Sequence, residues 1–273
     1  MAVGRRWPTL EILAMDLKEA YRFPIPEILA FLYAFFPLIF SPVAYAAMGL
    51  EAEEARLLII MSLSSSMISF ITIILILKNI SYGLANEIRK GLVQTYLTYP
   101  VGRASFFLVK LISGVLIPIA YIVLSICVFT GLLFPDLALK HLDVFLLGLL
   151  AFVADVLLPA SLMFLAAIAV RRGGASLAIG IALLFAVNVI SSILLMIGNI
   201  TGWEGVRHVY YTLNPLAALM RHYSLAIGGT PLGPGGGAPT MWECVAYLSG
   251  NYAIAIAFYV AALIYFLRRF EPV

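Results

Sequence analysis

From about residue 26 onward the chain is a series of long apolar runs cut by short polar breaks. A helix needs about 20 mainly apolar residues to cross a bilayer. Six runs reach that length, at about 26–48, 57–78, 104–134, 143–170, 176–199 and 242–267. The third and fourth exceed the minimum, so tilt, kinks or short extensions are expected in them. Ahead of the first run, the stretch 7–22 sets Leu10, Leu13, Ala14, Leu17 and Tyr21 on one helical face, with Glu11, Lys18, Glu19 and Arg22 on the flanks or opposite side. Too short and too charged to cross, it predicts an amphipathic helix lying in the membrane interface. Between the second and third runs, Leu84, Ile88, Leu92 and Tyr96 recur every four residues. That spacing predicts a polar-flanked helix over 84–98, halted where Pro100 pushes Tyr99 out of helical geometry. The connector at 200–241 contains LNPLAALMRHYSLAIGG. There Asn214 reads as an N-cap, Pro215 as the first helical residue and Gly228-Gly229 as the stop, so short helices are expected on that side. The pattern predicts an all-α polytopic membrane protein with one transmembrane domain over 1–273.

Composition settles the solvent. The chain is 63% hydrophobic and 11% charged, whereas soluble domains carry about a quarter of their residues as charges. No single core could bury so much apolar surface, so lipid must cover it. The formal charge of +3 is too small to imply a nucleic-acid partner. Its distribution is more informative. With both termini on the cytoplasmic side, thirteen of the 17 Lys and Arg fall on inner segments and four on outer ones. The positive-inside rule therefore places both termini, and the 84–98 helix, in the cytoplasm.

Polar residues within the runs are few, and each invites a reading. Asp155 is the one acid deep in a span, and Pro159 four residues later cannot donate to its carbonyl, so a kink is expected there. The carboxyl reads either as an ion or substrate site or as a tie between helices. Ser62, Ser65, Ser66, Ser69 and Thr72 in the second span, and Ser176, Gly180, Asn188 and Ser191 in the fifth, read as close packing or as the polar wall of a translocation path. Pro37, Pro42 and Pro118 read as kinks. Cys127 and Cys244 have no metal-ligand spacing, and no disulfide between them is expected. His141, His208 and His222 are scattered on the outer side. The sequence has no G-x-x-x-x-G-K-[ST] phosphate loop and no nucleophile–base set, so no enzymatic activity is expected of this chain.

Two stretches carry a resemblance. The first is Glu87, Gly91, Leu97, Pro100, Val101, Arg103 and Lys110; the second is LNPLAALMR, with Asn214, Pro215, Leu216 and Arg221. In order and spacing the chain resembles permease subunits of type-2 ABC exporters. That resemblance implies that 84–98 is a coupling helix docking on a separate ATP-binding cassette ATPase subunit, through Glu87, Arg89, Lys90, Gly91, Gln94, Leu97, Pro100 and Arg103. It implies that ATP and Mg stay on that partner, leaving this chain without a cofactor. A second permease copy, identical or not, would complete the transporter, with spans 2 and 5 along the central cavity. The resemblance also implies alternating access and a prokaryotic plasma membrane. Two rivals stand beside it: an ion-coupled carrier using Asp155, and a membrane scaffold that transports nothing.

Overall fold

The apolar runs fold as helices. The computed structural model describes residues 8–22, 27–29, 31–33, 35, 39, 53–93, 102–225 and 237–269, except the side chains at 8, 64–67, 224 and 225. It is about 93% helical, with no strand among the described residues. Five described helices are long and apolar enough to span a bilayer: Ile68–Arg89, Arg103–Leu133, Leu142–Val170, Gly173–Thr201 and Met241–Arg269. The chain is a helical membrane protein. Most of the run expected at 26–48 lies outside the described residues, although 27–29, 31–33, 35 and 39 are helical.

The elements follow in order. The lead-in helix α1 is Pro8–Ala20, and α2 is Glu53–Lys78. A π-helical turn, Asn79–Ala85, joins α2 to the short α3, Asn86–Arg89. Next come α4 (Arg103–Leu111), a second π-helical turn (Ile112–Leu116) and α5 (Ile117–Leu133). Short α6 (Pro135–Lys140) leads into α7 (Leu142–Val170), and α8 spans Gly173–Thr201. Two short helices, α9 (Glu204–Leu213) and α10 (Pro215–Leu225), precede the last long helix, α11 (Met241–Arg269).

The helix after the second run departs from the sequence reading. No polar gap separates residue 78 from a new helix at 84. The backbone stays helical from Glu53 to Arg89, because Ile80, Leu84 and Ile88 continue the buried stripe and no proline interrupts them. The stop comes early, at Gly91, whose φ of 72° is the left-handed conformation that ends helices and that glycine adopts without a Cβ clash. Only Leu92 and Val93 beyond it are described, and both are helical.

The second π turn has a covalent cause. Pro118 has no N–H for the carbonyl of Gly114, and the amide of Ile117 instead reaches Ile112, five residues back. The kink expected at Pro118 is thus a widened turn. Helix α7 runs unbroken through Pro159.

Helix α7 is the hub of the bundle. It packs most extensively on α11, then on α8 and α2, and 67% of its most apolar window is buried. Phe164 meets Phe107 of α4 edge-on at 5.2 Å and Tyr259 of α11 at 5.7 Å, while Phe106 stacks on Phe266. Such aromatic pairs supply dispersion where lipid removes most of the hydrophobic drive between helices.

Candidate functional site

Charge gathers where α1, the first π turn and α4 meet. Helix α1 turns Ile12, Leu13, Asp16, Leu17 and Tyr21 toward the bundle, all half-buried. Leu10, expected on that face, is 60% exposed, and Ala14 is exposed as well. A polar contact sets the roll of the helix. The Asp16 carboxylate accepts from Lys110 Nζ and from Ser113 Oγ, and the Tyr21 hydroxyl donates to the Ser113 carbonyl at 2.9 Å. Burial raises the Tyr21 pKa above its usual 10.0, so the phenol stays a donor. Lys78 Nζ donates to the carbonyl of Ala20 at 3.1 Å and covers the end of α1.

Lys110 is the centre of this cluster. It is 6% exposed and also donates to Glu87 Oε1 at 2.6 Å. One ammonium thus serves two carboxylates, from the lead-in helix α1 and from α3, at the C-terminal end of the helix that α2 begins. A buried ammonium without such partners would carry a desolvation cost of several kcal/mol. The Phe106 ring lies 5.7 Å from Nζ and adds a cation–π contact. Beside the ion pairs is a cavity of about 140 Å³, bordered by both π turns and lined among others by Asp16, Glu19, Asn79, Glu87 and Lys110. Irregular helix of this kind is frequent at functional sites.

The structure brings together only part of the expected docking set. Glu87 is 8% exposed and faces inward to Lys110 rather than outward. Arg89 and Lys90 are exposed at the tip, next to Gly91. Arg103 Nη1 donates to the Leu267 carbonyl at 3.4 Å, tying the start of α4 to the end of α11. Gln94, Leu97 and Pro100 lie outside the described residues.

The intramembrane polar residues scatter. Thr72 is fully buried, donating to Ile68 and paired with the Tyr33 hydroxyl. Ser62 bonds to Ile59 within its own helix, Ser69 is half-buried, and the side chain of Ser65 lies outside the described set. Ser176 pairs with Ser81 across helices at 3.1 Å. Asn188 is exposed and donates to Leu184 in its own helix, whereas Ser191 accepts from the Asn214 amide at 3.2 Å. That amide also donates to Tyr210, so the side chain ties α9 and α8 together besides preceding Pro215 of α10. Arg221 is buried, and its charge is felt by the Tyr211 phenol. Asp155 Oδ1 is buried with no hydrogen-bond partner.

At the other end, Glu53 takes Lys140 Nζ at 2.5 Å and His141 Nε2 at 2.8 Å, which hold its carboxyl at about 2. His208 pairs with the Tyr247 hydroxyl at 2.6 Å, and His222 donates to the Pro239 carbonyl. Asp16, Asn79 and Ser113 had no part in the sequence reading of the site. Their signal is faint: an acid inside an amphipathic helix, and polar residues at the rim of spans, where solvated ends are the ordinary expectation. Asn251, wholly buried in α11, was also missed; its amide donates to the Thr212 and Leu213 carbonyls that end α9.

The fold defines a helical membrane protein with a buried ion cluster joining its lead-in helix to two spans. No known protein family, no curated protein and no solved structure matches the chain.

Proposed function

We propose that this chain is the transmembrane permease subunit of an ATP-binding cassette exporter, moving its substrate by alternating access while a separate subunit hydrolyses ATP. One observation carries the reading. Arg89 and Lys90 are exposed at the tip of an uninterrupted helix, and Glu87, immediately behind them, is held by Lys110 of the next span. A partner pressing on that tip would move α3 and α4 together, because the Glu87–Lys110 ion pair ties them. Glu87 then transmits rather than docks, and Arg89 and Lys90 meet acidic residues of the ATPase, giving specificity and encounter rate. ATP and Mg belong to that partner. The termini lie in the cytoplasm of a prokaryotic cell, and the substrate cavity opens between this chain and a second permease copy along α8.

The test is affinity purification of the tagged chain from its native membrane in mild detergent, with partner identification and ATPase assay. A co-purifying polypeptide with a phosphate loop is expected, its substrate-stimulated ATPase falling about tenfold or more with Arg89→Glu plus Lys90→Glu. Absence of such a partner, under conditions that preserve other membrane complexes, would remove the reading. The unpartnered Oδ1 of Asp155 favours the ion-coupled carrier as a second reading. Gradient-driven transport abolished by Asp155→Asn, with no ATPase attached, is its signature.

A further inference from the structure

We infer that α9 and α10 form a re-entrant hairpin, a plug that dips into one end of the bundle and is latched there by the side-chain amides of Asn214 and Asn251. The directions of the long helices come first. Tyr252 of α11 donates to the Leu150 carbonyl of α7, and Tyr259 packs on Phe164, so α11 runs the same way as α7. Only Arg171 and Arg172 separate α7 from α8, which therefore runs back. The last residues of α8 and the first of α11 thus lie at the same end. Asn251 stands ten residues from the start of α11 at Met241, and Ser191 ten residues from the end of α8 at Thr201. At about 1.5 Å per residue, both lie about 15 Å below that end.

These two residues hold one spot. The Asn251 amide donates to the Thr212 and Leu213 carbonyls at 3.0 and 3.4 Å, and the Asn214 amide donates to Ser191 Oγ at 3.2 Å. The break between α9 and α10 is therefore fixed about 15 Å inside the bundle, within the ~30 Å hydrocarbon core of a bilayer centred on it. The helix lengths agree. Ten residues in α9 and eleven in α10 give a descent and a return of about 15 Å each. A break at that depth is tolerated only where the protein satisfies it. Asn251 is wholly buried, and Tyr211, Ala218 and Leu219 of the hairpin are at most 2% exposed. A connector lying on the surface would leave the last carbonyls of α9 to water and have no use for a buried amide. The plug does not depend on the transport reading.

The experiment uses the full-length chain in right-side-out and inside-out membrane vesicles, in a background with Cys127→Ala and Cys244→Ala. It follows labelling by a membrane-impermeant maleimide, which needs a thiolate in water. Trp203, just before α9, is 67% exposed. From the face that labels Trp203→Cys faster, Leu213→Cys at the tip is expected to react at least about tenfold more slowly. Asn251→Ala removes both of its amide bonds and should speed labelling of Leu213→Cys at least about fivefold. Ala151→Cys, in the core of α7, should stay unlabelled in that variant. Ser191→Ala, which removes the acceptor of Asn214, serves in its place if Asn251→Ala does not fold, and should speed labelling about twofold or more. Labelling of Leu213→Cys as fast as Trp203→Cys without either variant would put the connector on the surface and overturn the plug. Unchanged protection of Leu213→Cys in the folded variant, or an equal gain at Ala151→Cys, would overturn the latch.

Discussion

Lys110 holds the cluster together because it is the shared partner of two acids, buried Glu87 and half-buried Asp16. Lys110→Met leaves Asp16 and Glu87 facing each other without a cation, and a broken buried pair costs ~3–5 kcal/mol. Glu87→Gln is milder, ~1–3 kcal/mol, since Lys110 keeps Asp16 and the amide can still accept. Equilibrium unfolding of both variants in detergent tests the ranking; equal losses would mean that Lys110 is not the shared anchor. At the opposite end, Glu53 shows the reverse situation, a part-exposed carboxylate held by Lys140 and then His141. Its pKa falls from 4.5 to about 2. A carboxylate depressed in the folded state stabilises fully above its unfolded pKa, and that contribution disappears as pH falls through the folded one. The unfolding temperature of wild type relative to Glu53→Gln should therefore hold a constant difference above about pH 5, shrink below pH 4.5 and vanish near pH 2. A difference that persists below that value would show that Glu53 acts by packing and not by charge.

Helix α8 meets the C-terminal end of α2 and the first π turn through small side chains, and the glycines there are not equivalent. A Cβ on Gly173 would stand 2.9 Å from the Ser81 carbonyl oxygen, part of a backbone that cannot step aside. On Gly180 it would meet Leu77 Cδ1 at 2.2 Å, the far end of a flexible side chain that can rotate away. Gly174 has nothing within 4 Å. Gly173→Ala is thus expected to cost ~1–3 kcal/mol, Gly180→Ala less, and Gly174→Ala to stay within ~0.5 kcal/mol. Thermal unfolding of the three variants checks the order, and a neutral Gly173→Ala would separate α8 from the first π turn. In the sequence, Ser176 and Gly180 read either as packing positions or as part of a polar path, and the contacts here are those of packing. Long apolar helices were legible because their length and composition are local. The π turns were not, since each is a shift of hydrogen-bond register within a helix whose apolar stripe continues. The early stop at Gly91 was hidden by Pro100, the stronger breaker further on. The roll of α1 was hidden too, since a contact between residues 94 apart in sequence fixes it.

Among the helices that can span a bilayer, burial is uneven enough to define a face. Helix α7 has 67% of its most apolar window buried, while α8 has 11%. Phe185, Val189, Ile193 and Met196 lie exposed along α8, and Asn188 among them keeps its amide within its own helix. Lipid alone accounts for the apolar side chains but gives no reason for an exposed amide in the middle of a span. The second copy proposed above, packed along α8, would account for both. Of the ion cluster, Glu87 and Lys110 stood out beforehand only as residues of the family resemblance, Glu87 as a docking residue, and their pairing with each other and with Asp16 was not legible. This face was not legible either, because apolar residues turned to lipid and to another helix read alike in sequence. In a background with Cys127→Ala and Cys244→Ala, Ile193→Cys should give an oxidative cross-link between copies in native membranes. Leu124→Cys on α5, more exposed than Ile193 at 58% against 47%, should give little. If the proposed function holds, cross-linking should also change when ATP is supplied together with the proposed ATPase subunit, because alternating access would move one α8 against the other. A cross-link at Ile193 unaffected by nucleotide would keep the dimer and remove the coupling. Equal, weak cross-linking at both positions would return α8 to the lipid and leave Asn188 as a helix-internal hydrogen bond.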